Sequence, residues 1–132
     1  MPYIHGNGIN LFYEDIGVGE PLIFLHGSFS RGIISFSAQM MDFQSDYRCI
    51  FPDLRGHGRT VTDDLNWDLP DLADDIIWLM DQLHIQTASV IGFSLGGYLA
   101  YYCASRYPER FKVMISIGSN ANYNDDTRNS AI

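Results

Sequence analysis

Ala88-Ser89-Val90-Ile91-Gly92-Phe93-Ser94-Leu95-Gly96-Gly97-Tyr98-Leu99-Ala100 is the stretch on which the reading of the whole chain turns. A short apolar run, Val90 and Ile91, arrives at Gly92; the chain turns at Ser94 and leaves through Gly96 and Gly97 into a helical pattern. The spacing is G-x-S-x-G between a strand and a helix. Turning from strand to helix at one residue strains the backbone at Ser94 and crowds the positions two before and two after it. Glycine at 92 and 96 removes the Cβ atoms that would clash there. The Ser94 hydroxyl then stands at the tip of the turn, with the first amides of the new helix pointing at whatever it meets. Ser94 is therefore the candidate nucleophile.

Working outward, Pro2 to His5 and Asn10 to Ile16 read as two strands across the turn His5-Gly6-Asn7-Gly8, with side chains alternating along the second. Leu22-Ile23-Phe24-Leu25 has no polar alternation, as expected of a parallel strand covered on both faces, and it ends at His26-Gly27-Ser28. Ile33, Phe36, Met40 and Phe43 have helical spacing, which predicts a helix from Ile33 to Phe43. Tyr47 to Phe51 is another apolar strand, closed by the loop Pro52-Asp53-Leu54-Arg55-Gly56-His57-Gly58-Arg59-Thr60. Asp68 just ahead of Pro70 suits a helix start, and Leu72, Ile76, Leu79, Met80 and Leu83 form its apolar stripe. After the strand into Ser94 come a helix from Leu95 to Arg106, stopped by Pro108, and a strand from Lys112 to Ile117. Residues 119–132 turn polar and loop-like.

Alternating strands and helices joined by short turns give an α/β fold, a mostly parallel sheet with helices on both faces and the antiparallel hairpin at one edge. Working groups in such sheets collect at the carboxyl ends of strands, where Ser28, Asp53 and Ser94 all fall. With 132 residues the chain is one domain, its core spanning residues 1–118. Its 46% hydrophobic and 18% charged residues describe a globular protein, and a net charge of −8 argues against nucleic acid or an anionic membrane as partner. Cys49 and Cys103 lie in apolar segments with no metal spacing and read as buried free thiols, which favours a cytoplasmic location. No ligand cluster or phosphate loop is present, so no cofactor and no metal is expected.

Three motifs in order carry a resemblance to the α/β-hydrolase superfamily: Leu25-His26-Gly27-Ser28, Pro52-Asp53-Leu54-Arg55-Gly56-His57-Gly58-Arg59-Thr60, and Gly92-Phe93-Ser94-Leu95-Gly96-Gly97. The likeness runs from about Tyr3 to Ser119 and is strongest to esterases, carbon–carbon-bond hydrolases, cofactor-free haloperoxidase-like enzymes and proline iminopeptidase-like enzymes. It implies that Ser94 attacks a carbonyl carbon to form an acyl-enzyme, with the backbone amides of Leu95 and Ser28 holding the oxyanion. Phe29 and Phe93 would line the substrate pocket. His26, Gly27, Gly92, Gly96, Asp53 and Arg55 would shape the site rather than react, with Asp53 and Arg55 in a network that fixes their loop. His26 and His57 are then structural, not the base. His5 and His84 read as surface histidines, and Tyr98, Tyr101 and Tyr102 as packing residues.

The same resemblance places the catalytic acid and histidine after the nucleophile in chain order. No histidine follows His84, and the turn after Ile117 reads Gly118-Ser119-Asn120, with Asp125 and Asp126 several residues on. The fold is thus expected to be truncated after the sixth strand, with residues 119–132 a loop leading toward an absent cap or C-terminal part. The expected partners are a small-molecule substrate and either a C-terminal fragment of the same protein or a second copy covering an apolar sheet edge. An inactive binding module or receptor derived from the same fold is the alternative.

Overall fold

The computed structural model describes residues 3–6, 8–27, 42–62 and 66–118. Among the described residues seven strands build one sheet: β1 (Tyr3–Gly6), β2 (Ile9–Ile16), β3 (Glu20–Leu25), β4 (Tyr47–Pro52), β5 (Val61–Thr62), β6 (Ala88–Phe93) and β7 (Phe111–Ile117). Their order is β1-β2-β4-β3-β6-β7, with β5 pairing β2. The sheet is mixed. Strands β4, β3, β6 and β7 run parallel, with Ile23 opposite both Ile50 and Val90, and Ile91 opposite Ile115. Strand β2 is antiparallel to β1, β4 and β5, so the hairpin does sit at one edge. Strand β5 is a short addition to the six strands expected from the sequence. Two residues are too short for any periodicity to register, and it forms because β2 offers a free edge beside Ile9 and Asn10.

Two helices are described, α1 (Leu69–Gln82) and α2 (Leu95–Arg106). Helix α1 starts where the sequence places it: Asp68 is the N-cap, Pro70 sits in the first turn, and the Asp71 carboxylate accepts the Asp68 N–H at 3.0 Å. Helix α2 ends at Arg106, and Pro108 opens a single 3-10 turn (Pro108–Arg110) that leads into β7.

The pleat sorts the core into two layers. Ile23, Leu25, Ile50, Ala88 and Val90 pack against Leu72, Ile76, Leu79 and Met80 of α1 and Leu99, Ala100 and Cys103 of α2. Leu22, Phe24, Cys49 and Phe51 form a second cluster on the opposite face, with Phe43 and Ile91 against it and Phe24 stacked on Phe51 at 4.7 Å. Both described helices therefore cover one face. The helix expected from Ile33 to Phe43 on the other face lies outside the described residues except for its last two, Asp42 and Phe43, which are helical. Toward the β7 end that second face is open: Phe93, Val113, Ile115 and Ile117 are each about half exposed (47%, 53%, 46% and 48%). The unalternating apolar run in β3 is explained by burial on both sides, since Leu22 to Leu25 are all 4% exposed or less.

Candidate active site

Ser94 stands between β6 and α2 at φ 55° and ψ −114°, a conformation that L-residues avoid. It and His84 are the non-glycine residues at positive φ among those described. Three backbone hydrogen bonds hold the strain. Ser94 N–H donates to the Ile117 carbonyl at 2.9 Å, and the Ser94 carbonyl accepts Gly97 N–H at 2.9 Å and Tyr98 N–H at 3.1 Å. The elbow is thus tied to the end of β7 on one side and to the first turn of α2 on the other. The amide of Leu95 precedes these intrahelical bonds, in the positive end of the helix where an oxyanion is best received.

The two flanking glycines are required by contact. A Cβ on Gly92 would lie 1.9 Å from the Gly96 carbonyl oxygen, and one on Gly96 would lie 1.9 Å from that of Leu25. Gly96 thus lets α2 begin against the very end of β3. The same closeness brings the next loop in: a Cβ on Gly27 would lie 3.4 Å from the Ser94 Cβ and 3.3 Å from the Phe93 ring. Gly27 and Ser94 are therefore neighbours. Ser28 and Phe29 lie outside the described residues.

His26 is fully buried. Its Nδ1 donates to the Gly27 carbonyl at 2.7 Å, and its Nε2 accepts the Leu54 N–H at 2.9 Å. Burial pushes its pKa below the usual histidine value. Both ring nitrogens are thus engaged by backbone groups.

The loop after β4 is fixed from several sides. The Asp53 carboxylate accepts Arg59 N–H at 2.9 Å, and the Asp53 carbonyl accepts the Thr60 hydroxyl at 2.6 Å. Thr60 Oγ1 in turn accepts Phe12 N–H at 3.0 Å, and the Arg59 guanidinium lies 4.8 Å over the Phe12 ring. Arg55 makes a two-pronged ion pair with Asp75 of α1, at 2.8 and 2.9 Å, with both residues buried. Asp53 and Arg55 do belong to a loop-fixing network, but Asp75 was absent from the sequence reading. Its signal was available, because residue 75 falls between Leu72 and Leu79 on the apolar stripe of α1.

His57 donates from Nδ1 to the Arg55 carbonyl at 3.1 Å and faces His26 with ring centroids 5.1 Å apart. His5 and His84 are exposed, His5 bonding Asn10 and His84 ending α1 in a left-handed turn. Of the three tyrosines of α2, Tyr102 packs on the core, whereas Tyr101 is 45% exposed, which corrects its reading as a packing residue. Cys49 and Cys103 are buried and free, and burial raises the Cys103 thiol to about 12. No helix among the described residues is long and apolar enough to cross a membrane.

A family profile described as alpha/beta hydrolase fold matches residues 20–131. The chain is 33% identical over 117 residues to epoxide hydrolase 2 of Siraitia grosvenorii, covering 86% of this chain and 37% of that protein. It is 34% identical over 104 residues to a bifunctional esterase/perhydrolase of Acinetobacter calcoaceticus, covering 77% and 38%. Among solved structures, the meta-cleavage product hydrolase of Pseudomonas fluorescens IP01 superposes with a TM-score of 0.79 at 33% identity, over 85% of this chain and 42% of that one. The chain therefore spans about two-fifths of the length of these hydrolases. The strained Ser94 corner, the glycines that permit it and the profile match over most of the sequence lead to one conclusion: this chain belongs to the α/β-hydrolase family.

Proposed function

We propose that the chain supplies the nucleophile and the oxyanion amides of a serine hydrolase acting on a small ester, thioester or activated carbonyl. The observation that carries this reading is the backbone of Ser94: a non-glycine residue held at φ 55° between two glycines that nothing larger could replace. Strain of that kind, costing about 1–3 kcal/mol, persists only where the surroundings over-determine it. In this reading the Ser94 oxygen adds to the carbonyl carbon, and the developing oxyanion is held by the amides of Leu95 and Ser28. Each such donor contributes about 2.7–4 kcal/mol to the transition state. The intermediate collapses as the bond to the alcohol, thiol or other leaving group breaks, the leaving group departing with the proton taken from Ser94. The acyl group then passes from Ser94 to water. Phe93, at the elbow, and Phe29 line the acyl side.

A histidine base and its carboxylate partner complete the mechanism from residues beyond this sequence, since no histidine follows His84. Without them the serine keeps only the roughly 10³–10⁴-fold rate advantage of oxyanion stabilisation and binding, so the 132 residues alone are nearly inactive. The esterase relative supports an acyl substrate, and the buried free thiols of Cys49 and Cys103 support a reducing cytoplasm. A second reading, a self-associating binding module, is favoured by the half-exposed Phe93, Val113, Ile115 and Ile117.

Trapping the acyl-enzyme tests the first reading. Brief incubation of the full-length protein with p-nitrophenyl acetate, followed by acid quenching and peptide mapping, should place one acetyl group on Ser94. Acetylation at another residue, or steady hydrolysis that survives Ser94→Ala, would overturn it.

A further inference from the structure

We infer that Gly118, directly after β7, is a positioning residue for the nucleophile: its left-handed backbone holds the carbonyl that fixes the strained corner at Ser94. The bearing on catalysis rests on the reading of Ser94 proposed above; the tether itself rests on geometry.

A residue has two soft backbone torsions, each between its α-carbon and a rigid peptide plane. At Ser94 both planes are pinned. The plane after it is held by α2, because the Ser94 carbonyl accepts Gly97 N–H at 2.9 Å and Tyr98 N–H at 3.1 Å. The plane before it carries the Ser94 N–H, which donates to the Ile117 carbonyl at 2.9 Å. The register of β3 with β6 ends at Gly92, whereas that of β7 runs on to Phe93 opposite Ile117. Strand β7 therefore reaches the corner from the strand side, and its last carbonyl sets the plane from which the φ of Ser94 departs. A φ of 55° is kept there only as long as that plane cannot turn.

The Ile117 carbonyl and the Gly118 nitrogen belong to one peptide unit. The φ of Gly118 is thus the torsion adjoining the plane that receives the Ser94 N–H. Gly118 sits at φ 69°, where glycine rests without penalty and a β-branched residue is an outlier. A side chain there favours return to negative φ, and that rotation is shared with the peptide unit carrying the Ile117 carbonyl. Space is not what demands glycine at this position. A Cβ on Gly118 would meet the Phe93 ring at 3.4 and 3.8 Å, ordinary contact distances, unlike the 1.9 Å backbone collisions at Gly92 and Gly96. Gly118 serves the elbow by its conformation, the other two by clearance. A nucleophile that must meet a carbonyl carbon in line needs such support, because small misplacements cost much of the rate.

Substitutions at this position in the full-length protein test the tether. Asn, Ala and Val place the same Cβ beside Phe93 but differ in their tolerance of the left-handed region: Asn enters it readily, Ala less so and Val least. Gly118→Val should speed hydrogen exchange at the Ser94 amide, and slow fluorophosphonate labelling of Ser94, by about tenfold or more. Gly118→Ala should fall between, and Gly118→Asn should restore much of both; the Ala and Asn proteins carry the comparison by themselves should Val prevent folding. Exchange at Ser94 that is equal in all variants and wild type overturns the tether. Asn as damaging as Ala or Val overturns it too, since the added side chain and not the backbone torsion would be at fault. Faster exchange with labelling unchanged overturns the positioning of the nucleophile. The expected exchange pattern with no labelling of Ser94 in any protein, wild type included, supports the tether and rejects the serine-nucleophile reading instead.

Discussion

A methyl group on Gly92 would sit 1.9 Å from the Gly96 carbonyl oxygen, so Gly92→Ala forces the elbow apart rather than merely filling space. Overpacking of this kind costs about 1–3 kcal/mol and more where backbone is the obstacle. Gly92→Ala and Gly96→Ala should each lower the denaturant midpoint and remove reactivity at Ser94; a midpoint within error of wild type would mean that the elbow is not as tight as described. His26 makes a second prediction at this scale. Its folded pKa lies below the unfolded value of 6.5, so near and below that pH the unfolded chain binds a proton that the folded chain refuses. The stability contribution is therefore complete above about pH 6.5 and is lost as pH falls beneath it. Denaturant titrations at pH 7 and pH 5 should show this loss in wild type and a shallower one in His26→Gln.

Among elements, the decisive tie is the ion pair between the β4 loop and α1. Arg55 and Asp75 are 8% and 2% exposed, so removing one partner leaves a buried charge. Arg55→Met should destabilise by about 3–5 kcal/mol, and Arg55→Met with Asp75→Leu should recover most of it. Equal losses in the single and double variants would show that the pair does not act as a unit. Elements of this kind divide into those legible from sequence and those not. The turn from β6 into α2 was legible because Gly92, Ser94 and Gly96 encode a local steric problem and its solution within five residues. Helix α1 was legible from Asp68, Pro70 and the stripe of Leu72, Ile76 and Leu79. Strand β5 was not, since Val61 and Thr62 are ordered by the edge of β2 rather than by their own pattern. Asp75 on the apolar stripe of α1 is legible as a buried charge in need of a partner, but its pairing with Arg55 and the hydrogen bond from Leu54 N–H to His26 are not, because they join segments 20 and 28 residues apart in sequence.

For the molecule as a whole, the sheet ends at β7 among the described residues, with a half-exposed apolar face of Phe93, Val113, Ile115 and Ile117. Uncovered faces and edges of this sort drive association. The isolated 132 residues should form concentration-dependent oligomers in native mass spectrometry, and Val113→Lys with Ile115→Lys should return them to a 15.0 kDa monomer. A monomer at high micromolar concentration without those substitutions would mean that the face is covered from within the chain. On the reading proposed above, the elbow at Ser94 works with proton-transfer groups contributed by other residues. The central claim is that Ser94 is a nucleophile poised at that elbow. Fluorophosphonate labelling of the full-length protein tests it most directly: one adduct on Ser94, abolished by Ser94→Ala and slow in the isolated 132 residues, is the expected result. No adduct in the full-length protein, or an adduct that survives the substitution, would contradict it.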